Sequence, residues 1–152
     1  MKAAKVGSRR SGERCPEILV ATADKPVIIY PNVMVTLAEV TLDETGVWLV
    51  HAKASFDFGG DFAPMTGEVQ TVVFAEPLAG LPQGGMATVI DQSSFLLGIN
   101  NPWQFVSYLG AMTATKPSRV TMSCTNFFVG DIAVDAVRVL GVRLIATKAY
   151  LT

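Results

Sequence analysis

The stretch GVWLVHAKASF, residues 46–56, decides the fold of this chain because its apolar and polar side chains alternate with a period of two. One face of the stretch is made by Trp48, Val50, Ala52, Ala54 and Phe56, and the other by His51, Lys53 and Ser55. Successive side chains of an extended chain point to opposite faces of a sheet. The pattern therefore predicts a β-strand with one buried face.

Further strands are predicted on both sides of this one. Residues 119–126 (RVTMSCTN) and 141–150 alternate in the same way, and the other predicted strands lie near residues 27–30, 33–42, 68–75, 86–90 and 103–114. Turn-forming residues separate them, and residues 43–46 (DETG) are predicted to close a hairpin between the second and third strands. Residues 131–140 fit a short helix and a strand equally well. About eight strands without alternating helices predict an all-β sandwich, barrel or jelly roll.

The composition is that of one globular domain with a large core, since 50% of the 152 residues are hydrophobic and 16% are charged. The apolar runs are shorter than the roughly 20 residues that a transmembrane helix needs, so no membrane contact is expected. Cys15 and Cys124 lie in different settings and do not make a disulfide framework. We expect the protein to fold in a reducing cytosol.

The charge of the chain is unevenly distributed. Residues 1–14 carry a single acid and five cations, which are Lys2, Lys5, Arg9, Arg10 and Arg14. The remainder of the chain holds more acids than bases, and such an asymmetry is typical of an interaction arm. We therefore predict a basic extended arm over residues 1–20 and a folded domain over residues 21–152. Because no aromatic residues interleave with the cations and the body is acidic, an acidic protein surface is favoured over nucleic acid as the partner.

No residue pattern predicts catalysis. His51 is the single histidine and lies in mid-strand, so no second histidine is available for a metal site, and a sheet-surface or interface role is favoured over catalysis. Asp57 and Asp61 flank a short loop with too few acids for a calcium cage, and Cys124 alternates with core residues. The sequence thus predicts no catalytic residue, no metal and no cofactor, and a protein that is not an enzyme.

Residues 103–112 carry apolar side chains on both faces of the predicted strand. Trp103, Phe105 and Leu109 alternate there with Val106, Tyr108 and Met112. One face of each sheet in a sandwich normally meets water, so a strand that is apolar on both faces is expected to contact another subunit. The surplus of apolar surface predicts an oligomer.

Three of these stretches resemble the strands of C1q/TNF-like jelly-roll domains from actinobacteria and bacteriophages. They are TLDETGVWLVHAKASF (residues 41–56), KPSRVTMSCTNF (116–127) and VRLIATKAYL (142–151), and they occur in the order of that family. The resemblance implies a two-sheet antiparallel jelly-roll sandwich, C1q/TNF-like, that assembles as a compact homotrimer. It also implies aromatic and aliphatic residues along the threefold axis, and the candidates are Trp103, Phe105, Tyr108 and Tyr150.

The chain differs from larger members of that family because it has neither a collagen-like stalk nor a signal peptide. A basic arm followed by one jelly roll resembles a phage virion component, either a capsid decoration protein or a tail protein. In this interpretation the virion protein is assembled in the host cytoplasm, and its arm docks on an acidic surface of the major capsid or tail protein. The alternative is a tail or fibre head domain in which loops 57–67 and 77–94 bind a host receptor or a glycan. A small jelly-roll enzyme is the third and least favoured interpretation.

Overall fold

The computed structural model describes residues 2–6, 16–59, 66–98, 100–127 and 137–150, and it contains ten β-strands within them. The strands are β1 (Lys2–Val6), β2 (Ile18–Thr22), β3 (Val27–Ile28), β4 (Met34–Leu42), β5 (Gly46–Phe58), β6 (Thr66–Pro77), β7 (Thr88–Gly98), β8 (Trp103–Ala114), β9 (Ser118–Asn126) and β10 (Val137–Ala149). No helix occurs in these ranges. It follows that no helix of the described chain is long and apolar enough to span a bilayer.

Two antiparallel sheets form the molecule. The larger sheet has the strand order β1-β2-β10-β5-β8, with β3 pairing to β10, and the smaller sheet has the order β4-β9-β6-β7. Because β4 and β5 lie in different sheets, as do β7 and β8, the chain crosses repeatedly between the sheets. This is the jelly-roll arrangement, and the all-β two-sheet prediction is confirmed.

The core lies between the two sheets, where the inward-facing side chains of the long strands are mostly apolar. The inner face of β5 is completely apolar, with Trp48 and Phe56 fully buried. The ring of Phe56 packs edge-on against Phe95 of β7, with ring centroids 4.9 Å apart. At the other end of β5 the indole nitrogen of Trp48 donates a hydrogen bond to the Glu44 carbonyl at 3.2 Å. These aromatic contacts fix the spacing of the sheets.

A β-bulge in β10 changes which side chains share a face. Leu140 pairs with Ser55 and Arg143 pairs with Lys53, so β10 has one residue more than β5 over this interval. Gly141 within the bulge has φ +60°, a left-handed conformation that favours glycine. As a result Leu140 and Arg143 both lie on the outer face although they are three residues apart.

The strand pairing bears on three sequence predictions, which are a hairpin, an ambiguous segment and the end of the arm. Residues 43–46 do not close a hairpin, because β4 pairs with β9 whereas β5 pairs with β10 and β8. The ambiguous segment 131–140 is strand from Val137 onward, and residues 131–136 lie outside the described residues. The boundary predicted after residue 20 falls inside β2, which pairs with β10 over its whole length.

Candidate interaction surface

The outer face of β8 exposes large apolar side chains to solvent. Trp103 is 57% exposed, Phe105 is 56% exposed and Leu109 is 75% exposed. All three are odd-numbered positions of one strand and therefore share a face. Large apolar side chains that are exposed together on one strand are typical of a surface that another protein covers.

The strip continues across the larger sheet. Leu49 of β5, which is also exposed, lies opposite Ala111 of β8, and His51 lies opposite Leu109. On the far side of β5, His51 lies opposite Ile145 of β10. The outer face of β10, β5 and β8 is therefore one continuous surface, which we call the larger-sheet face.

Polar and charged residues interrupt this face at defined rows. The imidazole Nε2 of His51 lies 3.2 Å from the Ser107 hydroxyl. Lys53 lies opposite Arg143 on one side and Ser107 on the other. Further along β5, Asp57 forms an ion pair with Arg138. The larger-sheet face is thus apolar with a cationic row across its middle.

Tyr108 does not belong to this face, contrary to its inclusion with the candidate threefold residues. It is only 5% exposed, because the even-numbered positions of β8 point between the sheets. Its hydroxyl contacts the hydroxyls of Thr71 and Ser93 on the smaller sheet. Burial raises the pKa of the Tyr108 phenol above its usual range, and the hydrogen bond from Ser93 only partly offsets this.

The other candidates lie on the surface. Tyr150 directly follows β10 and is exposed, and Trp103 and Phe105 lie on the larger-sheet face. Leu109 and Leu49 were not among the candidates although they are exposed on the same face. The period-two pattern that places Trp103 and Phe105 together also places Leu109 with them, so the sequence contained the signal for that residue.

The predicted arm is described only in part. Lys2 and Lys5 lie in β1, whose backbone pairs antiparallel with β2 from Lys2 opposite Thr22 to Val6 opposite Ile18. Arg9, Arg10 and Arg14 lie outside the described residues. Residues 2–6 therefore form the edge strand of the larger sheet.

The smaller sheet has a different outer face. Arg119 of β9 forms ion pairs with Glu39 of β4, at 3.6 Å, and with Glu76 of β6. The hydrogen bond that the Arg119 guanidinium donates to Glu76, together with the charge of Glu39, raises the pKa of this guanidinium above its usual range. Beyond this cluster lies a depression of about 410 Å³, whose lining is mostly amide and hydroxyl groups such as Gln70, Ser94 and Thr125. The Arg119 cluster of this face is internally paired, and the exposed apolar side chains Met34, Val89 and Leu96 lie in separate rows of it.

Groups that could perform chemistry are few. Burial raises the pKa of the Cys124 thiol to about 12, so it remains protonated at neutral pH and is a poor nucleophile. Among the described residues no three His, Cys, Asp or Glu side chains lie close enough together to hold a metal ion. The short loop after β5 is described to Gly59, and Asp61 lies outside the described residues.

The loop between β6 and β7 is uncharged and exposes apolar side chains. Leu78, Leu81 and Met86 are all exposed, Met86 at 89%. Two turns hold the loop, because the amide of Gly80 donates to the Pro77 carbonyl and the amide of Gly85 donates to the Pro82 carbonyl. Within loop 77–94, the segment 78–87 is thus a structured apolar tip.

Comparison of the sequence with protein-family models matched no family, and comparison with curated proteins found no relative. Solved structures do match the fold. Murine APRIL at pH 5.0, a TNF-family jelly roll, aligns with TM-score 0.54 and 12% identity over 89% of this chain and 100% of its own. A chain of the infectious bursal disease virus Gx strain aligns with TM-score 0.61 and 12% identity, over 94% of this chain and 36% of its own. The VP2 protein of the same virus, in derived T=1 particles, aligns with TM-score 0.56 and 11% identity over 93% of this chain and 36% of its own.

These likenesses concern the fold of the chain. It is a two-sheet antiparallel jelly roll, and its fold matches that of a TNF-family jelly roll and of viral capsid chains. This chain spans only about a third of the length of the viral chains. At identities near 12% the likeness concerns the fold alone.

Proposed function

We propose that this chain is a non-enzymatic structural protein of a virion, and specifically a trimeric decoration protein of a phage capsid. The observation that carries the proposal is the larger-sheet face, where Trp103, Phe105 and Leu109 are more than half exposed on one strand. A soluble chain rarely leaves such a strip uncovered. Association of copies would bury it, and a closed ring satisfies every copy equally.

Three copies are proposed because of the resemblance to C1q/TNF-like domains, whose members are trimers. In this assembly the larger-sheet faces meet around the threefold axis, with Trp103, Phe105 and Tyr150 as contact residues. The basic start of the chain, of which Lys2 and Lys5 lie in β1, would dock on an acidic surface of a major capsid or tail protein. Three such contacts multiply the affinity without requiring a strong single contact. The role is adhesion and reinforcement of a particle assembled in the host cytoplasm.

The absence of enzymatic activity is part of this proposal. His51 lies on the larger-sheet face within hydrogen-bond reach of the Ser107 hydroxyl, and no further hydrogen bond from a described residue orients its imidazole as a base. Cys124 is buried and protonated at neutral pH.

The solution mass is the first test of the trimer. Light scattering coupled to size exclusion is expected to give three times the 16.2 kDa mass of the chain. A monomer at every accessible concentration would overturn the trimer. A dimer would overturn the threefold arrangement while leaving the larger-sheet face as the contact.

Attachment to the particle is tested separately from assembly. A variant in which the five cations of residues 1–14 are replaced by glutamine keeps the backbone that pairs β1 with β2. We expect it to remain trimeric and to lose binding to capsids prepared without this protein from the virus that encodes it. The wild-type protein should lose binding as salt rises, because exposed charge contacts are screened. Undiminished binding of the variant would refute docking through the arm.

A second candidate function is a receptor- or glycan-binding head of a tail or fibre. The uncharged tip at residues 78–87 favours it, because Leu78, Leu81 and Met86 are exposed on a loop that two turns hold in place. Receptor binding on whole host cells distinguishes the two functions. A head domain binds cells in a manner that Met86→Asp abolishes and the glutamine variant retains, whereas a decoration protein shows no such binding.

A further inference from the structure

Two cations lie directly opposite each other on the larger-sheet face. Lys53 of β5 and Arg143 of β10 are partners in register, next to the β10 bulge. Like charges in this arrangement destabilise a sheet. No carboxylate of the described residues forms an ion pair with either one, although Arg119, Arg138 and Lys148 each face a carboxylate. The pair therefore lacks the compensating carboxylate that Arg119, Arg138 and Lys148 each have.

The position of the pair relative to the apolar strip decides what happens when the face is covered. Along β8, Ser107 lies between Phe105 and Leu109, and Lys53 is the β5 partner of Ser107. Alternate residues of a strand are about 7 Å apart, so Phe105 and Leu109 are separated by only about 13 Å. A partner that covers both apolar side chains also covers Ser107 between them. Burial of the whole larger-sheet face, from β8 across β5 to β10, takes Lys53 and Arg143 into the contact as well.

We propose that the larger-sheet face binds an oxyanion, such as phosphate or sulfate, between Lys53 and Arg143 when a second copy of this chain covers it. This inference rests on the proposed trimer and adds a ligand to its interface. Burying two cations without a counter-charge is strongly unfavourable. An anion held between them restores the balance of charge and makes assembly depend on its concentration.

The chemistry of the row fits a tetrahedral oxyanion. The guanidinium of Arg143 presents a planar fork of donors that matches two oxygens, and the Lys53 ammonium supplies a point charge. The Ser107 hydroxyl, exposed beside Lys53, can donate to a third oxygen. Among the described residues of the larger-sheet face the one carboxylate is that of Asp57, which is committed to Arg138, so a second copy that meets the pair through the same face brings no uncommitted described carboxylate to it.

The test measures trimer dissociation on dilution, by light scattering, in chloride and in phosphate at equal pH and ionic strength. An anion that binds only the assembled state shifts the equilibrium by mass action. We expect phosphate to lower the protein concentration for half-dissociation by about tenfold or more. Equal values in the two salts would overturn the oxyanion site while leaving the trimer intact. Monomers in both salts would overturn the site together with the proposed trimer.

Variants separate specific binding from a general effect of phosphate on protein association. The double variant Lys53→Gln with Arg143→Gln should form trimers whose half-dissociation concentration is the same in both salts. The control is Lys116→Gln, a cation on the exposed turn between β8 and β9, which should respond to phosphate as the wild type does. A double variant that keeps the phosphate response would refute binding at the Lys53–Arg143 pair.

Discussion

The outer faces of the two sheets differ although both sheets supply the same kind of inner face. On the larger sheet the exposed apolar residues Trp103 and Phe105 follow each other along the outer face of β8, and Leu109 lies beyond Ser107 on the same strand. On the smaller sheet the exposed Met34 lies in a row with Thr125, Gln70 and Ser94, all of them polar. Arg119 and its two carboxylates form a cluster elsewhere on that face, and the exposed Val89 and Leu96 of β7 lie in two further rows. The exposed apolar side chains of the smaller sheet are thus separated from one another, whereas those of the larger sheet are concentrated on the edge strand β8 and the neighbouring Leu49.

This difference indicates which part of the molecule depends on partners. Burial of the inner faces folds the chain, and it requires only that apolar positions alternate. Folding does not require burial of the larger-sheet face, so substitutions of its residues test assembly rather than folding. Substitutions on the larger-sheet face should therefore change the oligomeric mass. Substitutions on the outer face of the smaller sheet should change neither the mass nor the stability.

The largest effect is expected from a charge on the larger-sheet face. Leu109→Arg places a further cation beside His51 and near Lys53, in a row that the proposed trimer buries. An unpaired buried charge costs several kcal/mol, so the dissociation constant should rise by more than about 100-fold. The measurement is mass by light scattering, with circular dichroism to establish that the fold is retained.

Thr36→Arg on β4 of the smaller sheet is the matched control, because Thr36 is exposed and lies on the opposite outer face. Its mass should equal that of the wild type. If both variants dissociate, or if neither does, the contrast between the two outer faces does not govern assembly.

A smaller effect is expected on the other side of the same strand. Tyr108→Ala removes a buried ring from the core and should lower the free energy of unfolding by about 3–5 kcal/mol. Tyr108→Phe keeps the ring and loses the hydroxyl contacts with Thr71 and Ser93, at a cost of about 1 kcal/mol. Urea denaturation at fixed protein concentration measures both values. A Tyr108→Ala protein of unchanged stability but reduced mass would return Tyr108 to the subunit interface.

The contrast between Tyr108 and Leu109 shows how far the sequence leads. Strand β8 is predicted with its observed bounds, and its alternation separates Phe105 and Leu109 from Tyr108. Tyr108 was wrongly grouped with the exposed aromatics, because its even-numbered position already places it on the opposite face of the strand from Phe105 and Leu109. The two-sheet jelly roll was likewise predicted from the sequence, because three stretches resemble the strands of jelly-roll domains and occur in the same order.

Other features require the three-dimensional register. The bulge at Gly141 brings Leu140 and Arg143 to one face, and a strict period of two separates them. Lys53 and Arg143 are paired in the sheet although they are 90 residues apart in the sequence, and no local sequence pattern predicts this pairing. Strand β7 extends to Gly98, well beyond its predicted end at residue 90, because its edge position tolerates polar residues of low strand propensity.

The smallest effect tests whether the inner face of the smaller sheet is as dry as that of the larger. Cys124 lies on that inner face, and burial raises the pKa of its thiol from 9.0 to about 12. Between these values the unfolded chain loses the thiol proton and the folded chain keeps it, so the free energy of unfolding must fall as pH rises above 9. From pH 8 to pH 10 we expect the wild type to lose about 1 kcal/mol more than Cys124→Ala. The raised pKa of Tyr108 acts in the same direction and is present in both proteins, apart from the smallest of its causes, which is the charge of Cys124 itself. If the wild type and Cys124→Ala lose the same free energy of unfolding as pH rises, water reaches the thiol. The inner face of the smaller sheet would then not be dry at Cys124.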